Sequence, residues 1–195
     1  MCIRDRVMAI GRSFQESFQK AIRSMENGLM GLEEISMEGK GNGPLKLELS
    51  TPGERRLWYV AEAFRNNWPI QEICDSCGID KWFLYQIKEL VDLEIEISKK
   101  SIKSLTRHEL LNLKKKGFSD IRIAKLLETT ELELREKRYE LNVRPVFKRV
   151  DSCAAEFNST TNYLYSTYEY ENESVLSSNK KIIVLGSGPN RIGQG

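Results

Sequence analysis

The chain has 195 residues, of which 40% are hydrophobic and 30% are charged, and its 30 basic and 28 acidic residues give a net charge of +2. This composition is typical of a soluble globular protein, and the small net charge gives no overall attraction to nucleic acid or to an anionic membrane. No stretch approaches the ~20 apolar residues of a membrane span and the first residues have no apolar signal region, so we expect a cytoplasmic protein.

The first predicted helix begins after Ser13. Ser13-Phe-Gln-Glu16 is a capping box, in which the serine accepts a hydrogen bond from a first-turn amide and the glutamate reaches back. We expect the helix to continue to about Asn27. Glycines and Pro44 follow and interrupt the periodicity, so residues 28–50 are predicted to be a loop or an interdomain link. The apolar face of the helix is expected to contain Phe14, Phe18, Ala21, Ile22 and Met25.

A second helical region begins at Thr51. Thr51-Pro-Gly-Glu54 is another capping box, with proline at the first helical position, where its missing N–H costs nothing. The helix is predicted over residues 52–67. Its buried side chains are expected to be Leu57, Val60, Ala61 and Phe64.

A short helix and a long helix follow. The short helix is predicted over residues 69–76 and ends at Gly78. Asp80 is placed to cap the long helix, which continues to about Ser98. The apolar stripe of the long helix is predicted to contain Phe83, Ile87, Leu90, Val91 and Ile97.

Three more helices are predicted before the chain becomes extended. Capping boxes at Thr106 and Thr130 open the first and the third, and Ser119 caps the one between them. Gly117 is placed to end the first. Residues 51–141 are therefore predicted to be helical, which makes the chain mainly α. The three predicted ranges are 107–116, 119–128 and 131–141.

An internal repeat relates the two ends of this helical region. At an offset of fifty residues, both copies predict a short helix, a tight turn and a second capped helix. We interpret them as two related helical hairpins packed around one core, which are too few for a solenoid. The matched pairs are Trp68 and Phe118, Pro69 and Ser119, Ile73 and Ile123, Cys74 and Ala124, and Cys77 and Leu127.

The remainder of the chain is predicted to be extended. Residues 142–150 contain a proline, and residues 163–168 favour a strand through their aromatic and β-branched side chains. Residues 181–185 are predicted to be a short buried C-terminal strand that leads into a glycine-rich turn. Because one strand without a sheet is not stable, we expect the 195 residues to be part of a longer polypeptide.

The glycine-rich turn has the composition of a phosphate loop without its spacing. Gly186 and Gly188 follow the predicted strand, but Arg191 occupies the position of the third glycine of a dinucleotide fingerprint. No Gly-Lys-Ser/Thr follows, so the turn is not a Walker A loop. The pattern is a weak indication of anion or substrate handling.

Each predicted hairpin also resembles a DNA-binding helix-turn-helix. A recognition helix must offer donors to base edges and cations to phosphates. The second helices, over residues 80–98 and 130–141, carry more acidic than basic side chains and would repel a duplex. For this reason we keep an independent tandem helix-turn-helix module that binds nucleic acid only as the alternative hypothesis.

The cysteines and the single histidine give no strong indication of a site. Cys74-Asp-Ser-Cys77 is a CxxC motif, but no second pair and no nearby histidine complete four zinc ligands. We interpret both thiols as core-facing, with a zinc or redox protein as the alternative. His108 is predicted in a first helical turn, where solvation or capping is expected rather than catalysis.

Seven segments, which follow one another with compatible spacing, carry a resemblance to a known enzyme family. Ile-Val-Leu-Gly-Ser-Gly-Pro-Asn-Arg-Ile-Gly-Gln-Gly at residues 183–195 resembles the opening of the second synthetase half of carbamoyl phosphate synthase large subunits. Residues 7–21 resemble the end of the first half. The segments that resemble the oligomerisation domain between the halves are 56–65, 80–87, 116–120 and 148–157, continued by 165–168.

The resemblance implies three parts. Residues 1–26 would be an unmatched leader and the tail of the first, carboxyphosphate-forming half. Residues 27–178 would be a helical oligomerisation and connection domain. Residues 179–195 would begin the second, carbamoyl phosphate-forming half, an α/β pre-ATP-grasp domain. The family has an acidic residue where this chain has Arg6, so we interpret residues 1–6 as foreign to the fold.

The resemblance implies an ATP-dependent ligase that makes carbamoyl phosphate from bicarbonate, ammonia and two ATP, for arginine or pyrimidine biosynthesis. One ATP-grasp half would form carboxyphosphate, which ammonia converts to carbamate, and the other would phosphorylate carbamate delivered through an internal tunnel. ATP and Mg²⁺ or Mn²⁺ would serve the full-length enzyme. The implied partners are a small glutaminase subunit or domain, the rest of the large subunit and further copies of the helical domain, but neither nucleic acid nor membrane.

Within this chain, the resemblance implies a substrate passage rather than a catalytic site. Arg191 is expected to face an intermediate with its positive charge, and the alternative is a structural arginine that satisfies carbonyls of the turn. Both ATP-grasp bodies lie outside the chain, so we expect it to hold no catalytic residue, metal or cofactor and to be inactive alone. The passage residues are Gly186, Gly188, Asn190, Arg191, Gly193 and Gln194.

Overall fold

A computed structural model describes residues 7–35, 42–154, 156–157, 163–175 and 177–184. In these residues the chain is mainly α, as predicted, and none of their helices has the length and apolarity that crossing a bilayer requires. The helices are α1 (Phe14–Ser24), α2 (Asn42–Ser50), α3 (Arg56–Arg65), α4 (Ile70–Cys77), α5 (Lys81–Ile97), α6 (Arg107–Lys115), α7 (Asp120–Leu126) and α8 (Glu131–Glu140), with a 3₁₀ turn at Ile102–Ser104. The strands are β1 (Val146–Arg149) and β2 (Leu164–Thr167).

Capping side chains determine where α1 and four later helices begin, and at α1 the cap is the Ser13 hydroxyl. The Asp80 carboxylate and the Ser119 hydroxyl each accept a hydrogen bond from a first-turn amide of the helix that follows. The predicted capping boxes at Thr106 and Thr130 are complete. Gly78 ends α4 with a left-handed φ of +68°. These boundaries are confirmed because each cap satisfies an amide or carbonyl that the helix leaves open.

The capping box of α6 is expected to make stability depend on acid. Hydrogen bonds from the side chain of Lys100 and from Thr106 lower the pKa of Glu109 to about 2. Because the folded-state pKa lies below that of the unfolded chain, this stabilisation is complete above the unfolded pKa and is lost as the pH falls through the folded pKa. Glu109→Gln should therefore be less stable than the wild type at neutral pH, with a difference that shrinks between pH 4.5 and about 2. Urea unfolding at a series of pH values measures this, and parallel pH profiles would contradict it.

The internal repeat corresponds to two helical hairpins, as predicted. α4 packs against α5 in the first hairpin, and α7 packs against α8 in the second. Equivalent positions are buried in both copies. Ile73 and Ile123 have no exposed surface, and Trp68 and Phe118 are buried in front of the short helices. The sequence repeat is therefore a repeat of core positions.

One apolar cluster connects the helices. Trp58 of α3 is fully buried, and its indole N–H donates to the carbonyl of Gly31 at 2.9 Å. The predicted faces of α3 and α5 are largely confirmed, but Leu57 is only half-buried and Phe83 is exposed. In place of Phe83, Leu84 packs inward, because it lies three residues before Ile87 on the same face of the helix. The buried side chains of the two helices are Trp58, Val60, Ala61, Ala63 and Phe64, and Leu84, Ile87, Leu90, Val91, Glu94 and Ile97.

α1 is buried through polar side chains, which corrects its predicted apolar face. Of the predicted residues only Ile22 is buried, and the others are half-buried. Gln15, Glu16 and Gln19 are buried with it, because the elements beneath α1 offer hydrogen-bonding groups. The helix ends at Ser24, earlier than predicted.

α2 lies inside the segment that was predicted to be a loop. Leu45 and Leu49, one turn apart, are buried against α3 and α4. Pro44 does not break the helix because it stands in the first turn, where a missing N–H is tolerated. The neighbouring glycines interrupt the apolar periodicity, which is why this short helix was not predicted from the sequence.

The predicted start of α3 is wrong for a related reason. The helix begins at Arg56, and its N-cap residue Arg55 makes no side-chain capping hydrogen bond. The Thr51 hydroxyl donates instead to the carbonyl of Leu47 at 2.9 Å, so Thr51 ends α2 and does not begin α3.

β1 and β2 form a two-stranded antiparallel sheet within the described residues. Val146 lies opposite Thr167, and Arg149 lies opposite Leu164. Both strands fall inside the segments that were predicted to be extended, and β2 is the last strand among the described residues.

The described part of the predicted terminal strand, residues 181–184, is not in a sheet. Ile182, Ile183 and Val184 are 90%, 86% and 86% exposed, so their predicted burial is wrong. A strand is stable only when a neighbour satisfies its backbone groups, and no described strand pairs with these residues.

Candidate functional site

The predicted passage residues fall outside the part of the chain that the structure describes. They are Gly186, Gly188, Asn190, Arg191, Gly193 and Gln194, and Arg6 is outside as well. The described residues offer two other features with functional potential. One consists of buried ion pairs between helices, and the other is a cluster of aromatic side chains at the surface where α1 meets α5.

The ion network joins α3, α5 and α7. Glu94 of α5 is only 3% exposed, and its two carboxylate oxygens accept hydrogen bonds from Arg122 at 2.8 and 2.7 Å. Arg65 of α3 donates to the same carboxylate at 2.9 Å. A planar guanidinium that meets a carboxylate through two parallel hydrogen bonds fixes both position and orientation. The three helices are therefore held at a defined mutual geometry.

The network also holds the segment between α1 and α2. Arg122 donates to the Leu32 carbonyl at 3.3 Å and contacts Glu34 at 3.4 Å, and Arg65 donates to the same carbonyl. Burial alone would lower the pKa of Arg122, but the hydrogen bonds and charge of Glu94 raise it. Burial would raise the pKa of Glu34, but a backbone hydrogen bond and the two arginines lower it. Arg122 and Glu34 are therefore both charged at neutral pH.

The sequence contained a signal for this network. Glu94 falls within the i, i+3, i+4 spacing of the apolar stripe of α5, between Val91 and Ile97. A charged residue at a core position needs a buried partner of opposite charge. Glu94 is one of the acidic side chains of residues 80–98 that were expected to repel a duplex, and its burial corrects that expectation for this residue.

A second set of buried charges joins α6 to the second hairpin. Lys114 donates to Asp120 at 2.6 Å and to the Phe118 carbonyl at 2.7 Å, and Arg138 donates to Asp120 at 3.1 Å. Burial lowers the pKa of Lys114, although Asp120 partly offsets the effect. The ammonium also lies 5.2 Å from the centre of the Tyr168 ring, and burial raises the pKa of that tyrosine to about 12.

Aromatic side chains cluster at the surface where α1 meets α5. The ring centre of Phe14 lies 5.4 Å from Phe18 and 5.3 Å from both Trp82 and Phe83. Trp82 and Phe83 are 52% and 42% exposed, and Tyr85 beside them is 58% exposed. Neighbouring large apolar side chains at a surface are typical of an interaction site.

Comparison with known proteins identifies the family. The family described as "Carbamoyl-phosphate synthetase large chain, oligomerisation domain" matches residues 6–142, which include every helix from α1 to α8. The chain belongs to this family.

Curated relatives of this oligomerisation domain share its sequence along nearly the whole chain. Carbamoyl phosphate synthase large chains of Neisseria meningitidis serogroup A and Pseudomonas syringae pv. tomato are 51% and 52% identical over 189 and 192 residues. The protein of the same name from Pseudomonas aeruginosa is 50% identical over 191 residues. Each match covers 97% of this chain, and the chain spans 17–18% of the length of these relatives.

The second hairpin of the oligomerisation domain is poorly suited to reading DNA. On α8, Arg135 pairs with Glu131 at 2.7 Å and Lys137 pairs with Glu140 at 3.2 Å. Arg138 is buried in the second set of charges. These three cations are thus already paired with carboxylates of the chain rather than free to contact DNA phosphates, which disfavours the helix-turn-helix alternative.

The remaining candidates are structural or solvated. Cys77 packs in the core of the oligomerisation domain, as predicted, and Cys74 is half-buried beside it, both as free thiols. His108 is exposed in the first turn of α6. Within the described ranges, no group of three or more His, Cys, Asp and Glu side chains is arranged to hold a metal ion.

Proposed function

We propose that the chain is the connecting and oligomerisation segment of a longer protein that makes carbamoyl phosphate from bicarbonate, ammonia and two ATP. The observation that carries this proposal is the family match over residues 6–142. Relatives named carbamoyl phosphate synthase large chain support it, since the chain corresponds to 17–18% of their length. The product would serve arginine or pyrimidine biosynthesis.

In that protein the described residues act as a rigid spacer between two synthetase halves. Glu94 and the two arginines around it fix α3, α5 and α7, and the second set of charges fixes α6 to the second hairpin. Reactive intermediates that travel between two active sites are lost to water if the path between them opens. A connector that keeps its shape therefore protects them without touching a reactant.

ATP and Mg²⁺ or Mn²⁺ would bind to the ATP-grasp bodies. A nucleotide-bound Mg²⁺ is held by carboxylates together with phosphates. The described residues contain no cluster of potential metal ligands and do not fit such a site, so no metal-dependent step is assigned to them. We expect the protein to be cytoplasmic and to receive ammonia from a small glutaminase subunit or domain. The glycine-rich turn would line the substrate passage, with Arg191 facing an anionic intermediate.

The chain alone is expected to self-associate and to catalyse nothing. Sedimentation velocity should show a species larger than the 22.5 kDa monomer. Bicarbonate-dependent ATP hydrolysis should equal that of a blank, whereas the longer protein should form carbamoyl phosphate from bicarbonate, ammonium and ATP. Bicarbonate-dependent hydrolysis by the 195-residue chain would refute the connector role, and a longer protein that forms no carbamoyl phosphate would refute the reaction.

A further inference from the structure

Two distant parts of the chain are held by the same two side chains of α1. These side chains are Glu16 and Lys20, one turn apart, which form an ion pair at 2.8 Å. One of the parts is the N-terminal segment, residues 7–12. The other is β2, whose Thr167 contacts Glu16 across 151 positions of sequence.

Glu16 is a buried carboxylate that needs both parts in place. It is 1% exposed, and its Oε2 accepts hydrogen bonds from the Arg12 backbone N–H at 2.6 Å and from the Thr167 hydroxyl at 3.1 Å. Its Oε1 pairs with the Lys20 ammonium. A buried charge is costly unless it is paired and hydrogen-bonded. Separation of β2 from the N-terminal segment would therefore leave this carboxylate incompletely satisfied.

Lys20 connects the same two parts directly. Its ammonium donates to the Ile10 carbonyl of the N-terminal segment at 2.9 Å and to the Ser166 carbonyl of β2 at 2.7 Å. An ammonium has three donors, and here they reach Glu16, Ile10 and Ser166. The Tyr165 ring centre lies 5.6 Å from the same nitrogen.

α1 in turn is fixed to the helical body. Arg23 donates to the Gly117 carbonyl at 2.7 Å, and Gln19 donates to the Lys116 carbonyl at 3.2 Å, both at the turn between α6 and α7. Gln15 donates to Glu89 of α5 at 2.6 Å. The contacts of Glu16 and Lys20 therefore position both chain segments relative to the hairpins.

We propose that Glu16, Lys20 and Thr167 form a clasp that holds the N-terminal segment against β2 and thereby sets the relative position of the two synthetase halves. This consequence rests on the proposed function, in which one half precedes the N-terminal segment and the other follows β2. Two bodies tethered at adjacent points of one rigid domain swing less freely than bodies on separate linkers. The three clasp residues are positioning residues, since they touch no reactant.

The clasp itself is tested on the 195-residue chain by amide hydrogen exchange. Lys20→Met removes every bond of the ammonium, and Thr167→Val removes only one hydroxyl. We expect Lys20→Met to raise exchange in residues 7–12 and in β2 by about tenfold, and Thr167→Val to raise it less, in the same segments. Lys137→Met is the matched control, because Lys137 also pairs with a glutamate but contacts neither segment. Unchanged exchange in the first two variants would overturn the clasp.

The consequence for the two halves is tested in the longer protein. Lys20→Met and Thr167→Val should raise the amount of ATP hydrolysed per carbamoyl phosphate formed, by at least about twofold for Lys20→Met. Bicarbonate-dependent ATP hydrolysis should persist in both variants. The control Lys137→Met should match the wild type. A faster exchange with an unchanged ATP ratio would overturn the positioning role but keep the clasp. A wild-type protein that forms no carbamoyl phosphate would refute the proposed function, and the exchange result would still decide the clasp.

Discussion

Glu94→Gln should lower the free energy of unfolding by about 3–5 kcal/mol, the usual cost of removing one partner of a buried ion pair. Glutamine keeps the shape of the side chain, so the loss reports charge rather than volume. Arg122, which is 1% exposed, would lose its bidentate partner and would face the partly buried cation of Arg65. Glu34 cannot replace the lost carboxylate, because its side chain is 58% exposed and its contacts with Arg122 are longer. Urea unfolding followed by circular dichroism measures the change.

A matched control separates this network from ordinary surface charges. Glu131→Gln breaks the ion pair with Arg135, whose two side chains are 41% and 46% exposed, and should cost less than about 1 kcal/mol. Replacing both partners, as in Glu94→Leu with Arg122→Met, should restore much of the lost stability, because no buried charge is then left without a partner. A loss in Glu94→Gln no larger than in the control would show that the network contributes little.

Gly117→Ala is expected to destabilise the chain and to loosen α1. The residue has φ of +90°, a conformation that costs a non-glycine residue about 1–3 kcal/mol. A β-carbon there would also lie 2.8 Å from the Glu16 Cα and 2.9 Å from the Glu16 carbonyl oxygen, so the backbone of α1 would have to shift. We expect both a lower urea midpoint and faster amide exchange throughout α1.

Gly78→Ala is the corresponding control for backbone strain. Gly78 ends α4 with φ of +68°, but a β-carbon there meets nothing within 4 Å. Its substitution should therefore cost only the backbone strain and leave exchange in α1 unchanged. Equal exchange in α1 for the two variants would show that the Gly117 turn does not seat the helix.

Local chemistry explains which elements could be predicted from the sequence. Asp80, Thr106, Ser119 and Thr130 cap their helices through residues two or three positions away, so the relevant contacts are contained in the sequence pattern. The fifty-residue repeat likewise needed only the spacing of buried side chains. Thr51 has the same sequence pattern, but its hydroxyl donates to the Leu47 carbonyl of the preceding helix α2. This contact is seen only in the folded structure.

Features set by distant contacts could not be predicted. The buried face of α1 is polar because Glu89, Lys116 and Thr167 lie beneath it, and these residues come from three other parts of the chain. The spacing of the sequence placed Glu94 in the apolar stripe of α5, but it did not identify Arg65 and Arg122 as the partners of Glu94. The predicted passage residues rest on the family resemblance alone and remain a prediction.

The ion network has a consequence for the order in which the domain folds. Each hairpin joins helices that are adjacent in the chain, so each can close with little loss of loop entropy. Glu94 belongs to the first hairpin and Arg122 to the second, 28 positions away, while Arg65 precedes both. Their charges can meet only after the hairpins have docked. These ion pairs therefore form late in folding and only when the hairpins are docked correctly, because a misdocked intermediate would bury the same charges without partners.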